Sequence, residues 1–124
     1  MTSSQTVTAD TAGYETLSEG VEIRLLRAHG NGGLTFFIRM KKGARAPRHG
    51  HPGGEETCLL QGVLRIEKRV AENGEAQPDI VVSEGEYAFV PAGELHEGVA
   101  LEDSLFLVVA PGGVVREPRG EPRG

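Results

Sequence analysis

Gly43-Ala-Arg-Ala-Pro-Arg-His49-Gly-His51-Pro-Gly-Gly-Glu55-Glu-Thr-Cys-Leu-Leu-Gln-Gly62 is the stretch on which the reading of the chain turns. Two histidines stand one residue apart, and a carboxylate follows four residues after the second. Side chains of an extended strand alternate between its two faces, so His49 and His51 point the same way and can grip one ion. Glu55 shares their parity and faces the same interior, provided that the turn over residues 52–54 keeps the phase. Glu56 is the rival carboxylate, and parity favours Glu55. Imidazole nitrogen and carboxylate oxygen suit a divalent transition metal such as Zn, Fe, Mn, Ni or Cu. The shell still needs a ligand from elsewhere in the chain.

Outward from this stretch the pattern is strand and turn. Residues 21–25 alternate apolar and charged as a half-buried strand with room to run on to Ala28, and residues 14–17 suggest a short edge strand before it. Leu34–Met40 carries Leu34, Phe36, Ile38 and Met40 on one face and Thr35, Phe37 and Arg39 on the other. Asn31-Gly32 and Asn73-Gly74 are hairpin signals, the second inside a loop over residues 71–77. Residues 55–60, 63–70, 80–82, 86–90, 95–101 and 104–110 read as further strands. About ten short strands without a helix, punctuated by 18 Gly and 7 Pro, predict an all-β closed or double-sheet architecture. The barrel is expected over residues 13–114, with a flexible N-terminal arm over 1–12. Residues 115–124, with Glu117-Pro-Arg-Gly repeated as Glu121-Pro-Arg-Gly, read as a disordered tail.

A chain of 124 residues is long enough for one domain with its own core. Its formal net charge of −5 argues against nucleic acid or an anionic membrane surface as the main partner. The lone cysteine, Cys58, permits no internal disulfide and fits a reducing, cytoplasmic setting. The polar N-terminus lacks the basic and apolar regions of a signal peptide, and no apolar run approaches membrane-spanning length.

The second informative stretch is Gly85-Glu-Tyr-Ala-Phe-Val-Pro91-Ala-Gly93-Glu-Leu-His96. His96 follows a Pro-Gly bend and can complete the shell of His49, His51 and Glu55. Three imidazoles and one carboxylate leave coordination positions for water or substrate, as catalytic or sensing sites do and closed structural sites do not.

The two stretches resemble the paired signatures of the cupin superfamily. In the first, every fixed position is present: Gly43, His49, His51, Glu55 and Gly62. In the second, Gly85, Pro91, Gly93 and His96 match, and Ala100 stands where the signature has Asn. The resemblance implies a double-stranded β-helix, a jelly-roll barrel of the small single-domain, RmlC-like kind. It implies His49, His51, Glu55 and His96 as ligands of one divalent metal lining the interior. It also implies a homodimer, for which unpaired edge strands give a physical basis. The run from His51 to Thr57 is similar to small cupins related to the zinc-binding sensory domain of an anti-sigma factor.

Other side chains are weighed against simpler roles. His29 lies in a Gly-rich turn and reads as a solvated loop residue. Cys58 is out of phase with Glu55 and reads as packed on the opposite face. Arg39, Arg45, Arg48 and Arg65 would bind a substrate carboxylate only if they pointed inward. Phe36, Phe37, Tyr87 and Phe89 read as core, with Tyr87 a less favoured hydrogen-bond donor near the metal. No residue beyond the four ligands is assigned a catalytic role. The expected function is a metal-dependent enzyme acting on a small organic molecule, dioxygenase-like or isomerase- or lyase-like. The alternative is a non-catalytic metal-dependent sensor or small-molecule binding protein.

Overall fold

The computed structural model describes residues 13–116. The proposed arm and most of the proposed tail lie outside these residues. Twelve strands run β1 (Glu15–Ser18), β2 (Val21–Ala28), β3 (Leu34–Met40), β4 (Arg45–Gly50), β5 (Glu55–Gln61), β6 (Val63–Val70), β7 (Ala76–Gln77), β8 (Ile80–Ser83), β9 (Tyr87–Val90), β10 (Leu95–Ala100), β11 (Ser104–Ala110) and β12 (Val115–Arg116). No helix forms among the described residues, so none there is long and apolar enough to cross a membrane. The loop expected over 71–77 contains β7, and the first two residues assigned to the tail pair with β4 as β12.

The strands form two sheets with antiparallel pairing throughout. One is ordered β1-β2-β3-β11-β5-β9, and the other β12-β4-β10-β6-β7, with β8 also on β6. From β3 to β6 and again from β8 to β11 the chain passes repeatedly from one sheet to the other. This is the jelly-roll arrangement expected of the sequence. It matters for function because residues close in sequence end on facing walls. The inward residues of β3, Phe36, Ile38 and Met40, pack with Leu64, Ile66, Phe106 and Val108 in one buried cluster. Full burial of such side chains contributes roughly 1.5–3 kcal/mol each.

Tyr87 and Phe89 correct the sequence reading. Both are exposed, at 59% and 55%, because β9 is an edge strand whose inward positions fall to Ala88 and Val90. The Tyr87 hydroxyl donates to Glu56 at 2.8 Å on the outside of the sheet, far from any role at a buried ion. Phe36 and Phe37 are buried as expected. His29 is half-buried rather than solvated, with Nε2 2.8 Å from the Thr35 hydroxyl.

Gly62 shows why the first stretch ends in glycine. Its φ is +90°, and a Cβ there would stand 2.3 Å from the Asp103 carbonyl oxygen. Backbone cannot yield as a side chain tip does, so Gly62→Ala should destabilise the protein by about 2–4 kcal/mol in urea unfolding. At Gly43, whose φ is +87° but whose surroundings are open, the same change should cost about 1–2 kcal/mol, from the backbone conformation alone.

Candidate metal centre

β4 and β10 lie side by side, and their register sets His49 directly opposite His96. Pro47 and Arg48 together oppose Glu97, so β4 carries an extra residue just before the histidines. This bulge re-phases the strand, and both Ala46 and His49 face the interior. His51 follows two residues after His49 on the same side. The turn at Pro52-Gly53-Gly54 then carries the chain to the other sheet. Gly54, at φ +87°, makes that turn without a side-chain penalty, and its N–H donates to the His51 carbonyl at 2.9 Å. Glu55 opens β5 and points back across the gap.

The phase expected from the sequence therefore holds. One ligand atom from each of His49, His51, Glu55 and His96 lies within 4.8 Å of the other three. That span is little wider than the ~4.4 Å between donors on opposite sides of an ion at ~2.2 Å. Glu56 faces outward to Tyr87, and Cys58 likewise takes the outward phase of β5.

In His49, Glu55 and His96 the outer atom is tied in a way that aims the inner one. His49 Nδ1 sits 2.7 Å from the Pro47 carbonyl oxygen, so it carries the proton and leaves Nε2 to the centre. The Thr57 hydroxyl donates to Glu55 Oε2 at 3.2 Å, and Oε1 is left 3.0 Å from His51 Nε2 and 3.3 Å from His96 Nε2. His96 Nδ1 is 3.1 Å from Glu94 Oε2. Glu55 Oε1 and both His51 nitrogens are buried without a hydrogen bond of sound geometry among the described residues. Buried polar atoms without partners are costly, and a cation at the point where they converge would satisfy Glu55 Oε1 and one His51 nitrogen. The donor set thus fits a divalent transition metal.

Glu94 and Arg69 extend the centre, and the sequence reading assigned neither. Arg69 Nε and Nη2 donate to the two Glu94 oxygens at 2.8 and 2.9 Å, and Nη1 donates to the Pro78 carbonyl at 2.6 Å. Glu94 is 2% exposed. Arg69 reaches it through a second bulge, where Lys68 and Arg69 together oppose His96 in the β6–β10 pairing. Lys68, at φ +54°, is the one non-glycine residue with positive φ among the described residues.

The electrostatics are those of a compressed cluster. Burial holds the His49 imidazole down at about 4, with the charge of nearby His96 acting in the same direction. Burial pushes the Glu55 carboxyl up, but the close imidazoles of His51 and His96 outweigh it and hold Glu55 well below the usual carboxylate range. Burial pushes His96 down, yet Glu55 and then Glu94 bring it above its ordinary value. Between pH 6.5 and about 4 the unfolded chain protonates His49 while the folded one does not, so falling pH removes stability. Glu55 stabilises the fold above its unfolded pKa of ~4.3, and that part drains as pH falls further. His96 acts in the opposite sense: its contribution is full below ~6.5 and lost as pH rises through its raised folded value. In melts of metal-free protein from pH 7 to 4, His49→Asn should therefore flatten the acid loss, by up to about 3 kcal/mol at pH 4.

The four arginines considered for substrate binding do not line the interior cavity. Arg39 pairs with Glu22 at 2.8 Å and stacks over Tyr14, and Arg45 and Arg65 both pair with Glu67.

The chain matches the family model described as the ChrR cupin-like domain over residues 2–115. A comparison with curated proteins gives no match. Among solved structures, an acetylacetone dioxygenase from Acinetobacter johnsonii is similar with a TM-score of 0.75 at 20% identity, covering 100% of this chain and 85% of that one. A chain from the Rhodobacter sphaeroides complex of SigE with the anti-sigma ChrR gives 0.66 at 24% identity, covering 83% of this chain and 51% of that one. Oxalate decarboxylase from Bacillus subtilis gives 0.67 at 26% identity, covering 78% of this chain and 26% of that one. With the jelly roll, both signature stretches and a family match across nearly all of its length, the chain belongs to the ChrR cupin-like domain family of the cupin superfamily.

Proposed function

We propose that the protein is a metal-dependent enzyme acting on a small organic molecule, with His49, His51, Glu55 and His96 holding one divalent transition metal. The observation that carries this reading is that the four donors converge at the wall of an interior cavity of about 340 Å³, not in a closed knot of protein. A volume of that size falls within the ~300–1,000 Å³ of small-molecule sites. A bound Fe, Mn, Ni or Cu would supply dioxygenase-type chemistry, and Zn would supply Lewis-acid chemistry of the isomerase or lyase kind. The likeness to an acetylacetone dioxygenase supports the first. The chain's own part is to orient the donors through Pro47, Thr57 and Glu94 and to surround the ligand with apolar wall.

Elemental analysis of the untagged protein tests the reading. About one transition metal per chain is expected, with near-complete loss in His96→Ala and retention in His29→Ala, whose ring is occupied with Thr35. Oxygen uptake on adding a small ketone, in the Fe-loaded protein, supports oxygenase chemistry. Full metal retention by His96→Ala would sink the ligand assignment.

A second reading is a metal-dependent sensor, favoured by the family and by the outer face of β5 and β9. Leu60, Tyr87 and Phe89 are exposed there, on the face opposite Glu55. Under this reading the metal-loaded protein forms a complex with another protein that chelation dissolves. A homodimer joined through edge strands remains part of the proposal, and sedimentation equilibrium reads it directly.

A further inference from the structure

We infer that the cavity is shaped for a molecule with one oxygen-bearing head group at the donor cluster and an apolar tail that carries no second charge. The inference rests on the metal-site reading for the placement of the head group and on the cavity wall for the tail. Among the described residues that line the cavity, the only polar side chains are the four of the donor cluster. All the rest is hydrocarbon, thioether or backbone, from Phe36 and Ile38 on one sheet to Leu64 and Ile66 on the other.

This composition is selective in a definite way. A carboxylate or ammonium on the tail would be taken out of water and given no partner, and a hydroxylated tail would lose its hydrogen bonds. No Arg or Lys lines the cavity, and four of the neighbouring arginines are committed elsewhere: Arg39 to Glu22, Arg45 and Arg65 to Glu67, and Arg69 to Glu94. The entrance has the same character. Leu17 and Val114 line the cavity and are 40% and 39% exposed, and Pro47 lines it and is exposed as well, so its solvent-facing lining is apolar. Size bears on the enclosed part of the ligand. At ~30 Å³ for each water displaced, 340 Å³ holds about eleven waters, so the part held inside the cavity is on the order of ten non-hydrogen atoms.

The test is a matched pair of acids titrated into the metal-loaded protein and followed by NMR. Heptanoate and heptanedioate share a carboxylate head group and chain, in either orientation, and differ in a second carboxylate at the tail. We expect heptanoate to bind at least tenfold more tightly. In Ile23→Lys, which places a cation on the wall at a partly buried position, the ratio should fall below one. Equal binding of the two acids by a protein that retains its metal overturns this inference and leaves the metal reading standing. So does binding of neither. A preference for heptanoate in protein that retains no metal overturns the metal reading and supports the apolar tail. Should Ile23→Lys not fold, the wild-type ratio alone decides.

Discussion

Loading with Zn(II) is expected to stabilise the protein by about 4 kcal/mol when free metal stands a thousandfold above its Kd. For a domain of this length that is a rise in Tm of roughly 15 °C. The cause is specific. His51 and Glu55 are 2% and 7% exposed and hold polar atoms that the protein itself leaves without hydrogen bonds. A bound metal would convert that liability into coordination. His51→Ala should abolish the zinc-dependent rise, since it removes a ligand outright, an effect well beyond the ~10–100-fold loss typical of outer partners. In the absence of metal the same variant should itself lose about 1–3 kcal/mol, because the ring contacts go and the buried Glu55 carboxylate loses the imidazole 3.0 Å from it. Differential scanning calorimetry with and without zinc reads both. A zinc shift that survives in His51→Ala removes His51 from the shell.

Glu94→Ala is the second large effect. It strips the partner from the Arg69 guanidinium, whose side chain is 10% exposed, and frees His96 Nδ1. Leaving one member of a buried pair uncompensated costs about 3–5 kcal/mol. Metal affinity should fall as well, by ~10–100-fold, because His96 loses the contact that fixes its tautomer and ring orientation. The two consequences separate in the double variant Glu94→Leu with Arg69→Met. Replacing both partners by apolar groups of similar size should bring urea stability back to within about 1–2 kcal/mol of wild type. Zinc affinity should stay low, since no carboxylate holds His96. Recovery of affinity along with stability would show that Glu94 acts on the fold alone.

The four-residue cluster was legible because its spacing is a consequence of extended-chain geometry. His49 lies on β4 and His51 just beyond it in the same phase, and Glu55 keeps phase because the Pro-Gly-Gly turn ends where β5 begins. The Glu94–Arg69 pair was not legible in the same way. Glu94 shares the parity of His96, two residues on, and that could have marked it. Arg69 could not have been found, because the bulge at Lys68 shifts the phase of β6 and a two-residue repeat carries no sign of it. Tyr87 and Phe89 were misplaced for a simpler reason. In Tyr-Ala-Phe-Val every residue is apolar, so alternation has no phase to read, and only the edge position of β9 decides which pair faces out. Arg39 is drawn outward by Glu22 across the β2–β3 pairing and Arg45 by Glu67 two strands away, contacts that depend on register, while Arg65 reaches Glu67 on its own strand.

The turn over residues 52–54 puts Glu55 on the sheet facing the one that carries His49 and His96, with His51 just past the end of β4. An ion held there would act as a rivet through both layers. Its departure would free the layers from one another at that end, so the barrel should breathe faster there once the metal has left. Amides of β4 and β5 would then exchange with solvent in step, quickly without the rivet and slowly with it.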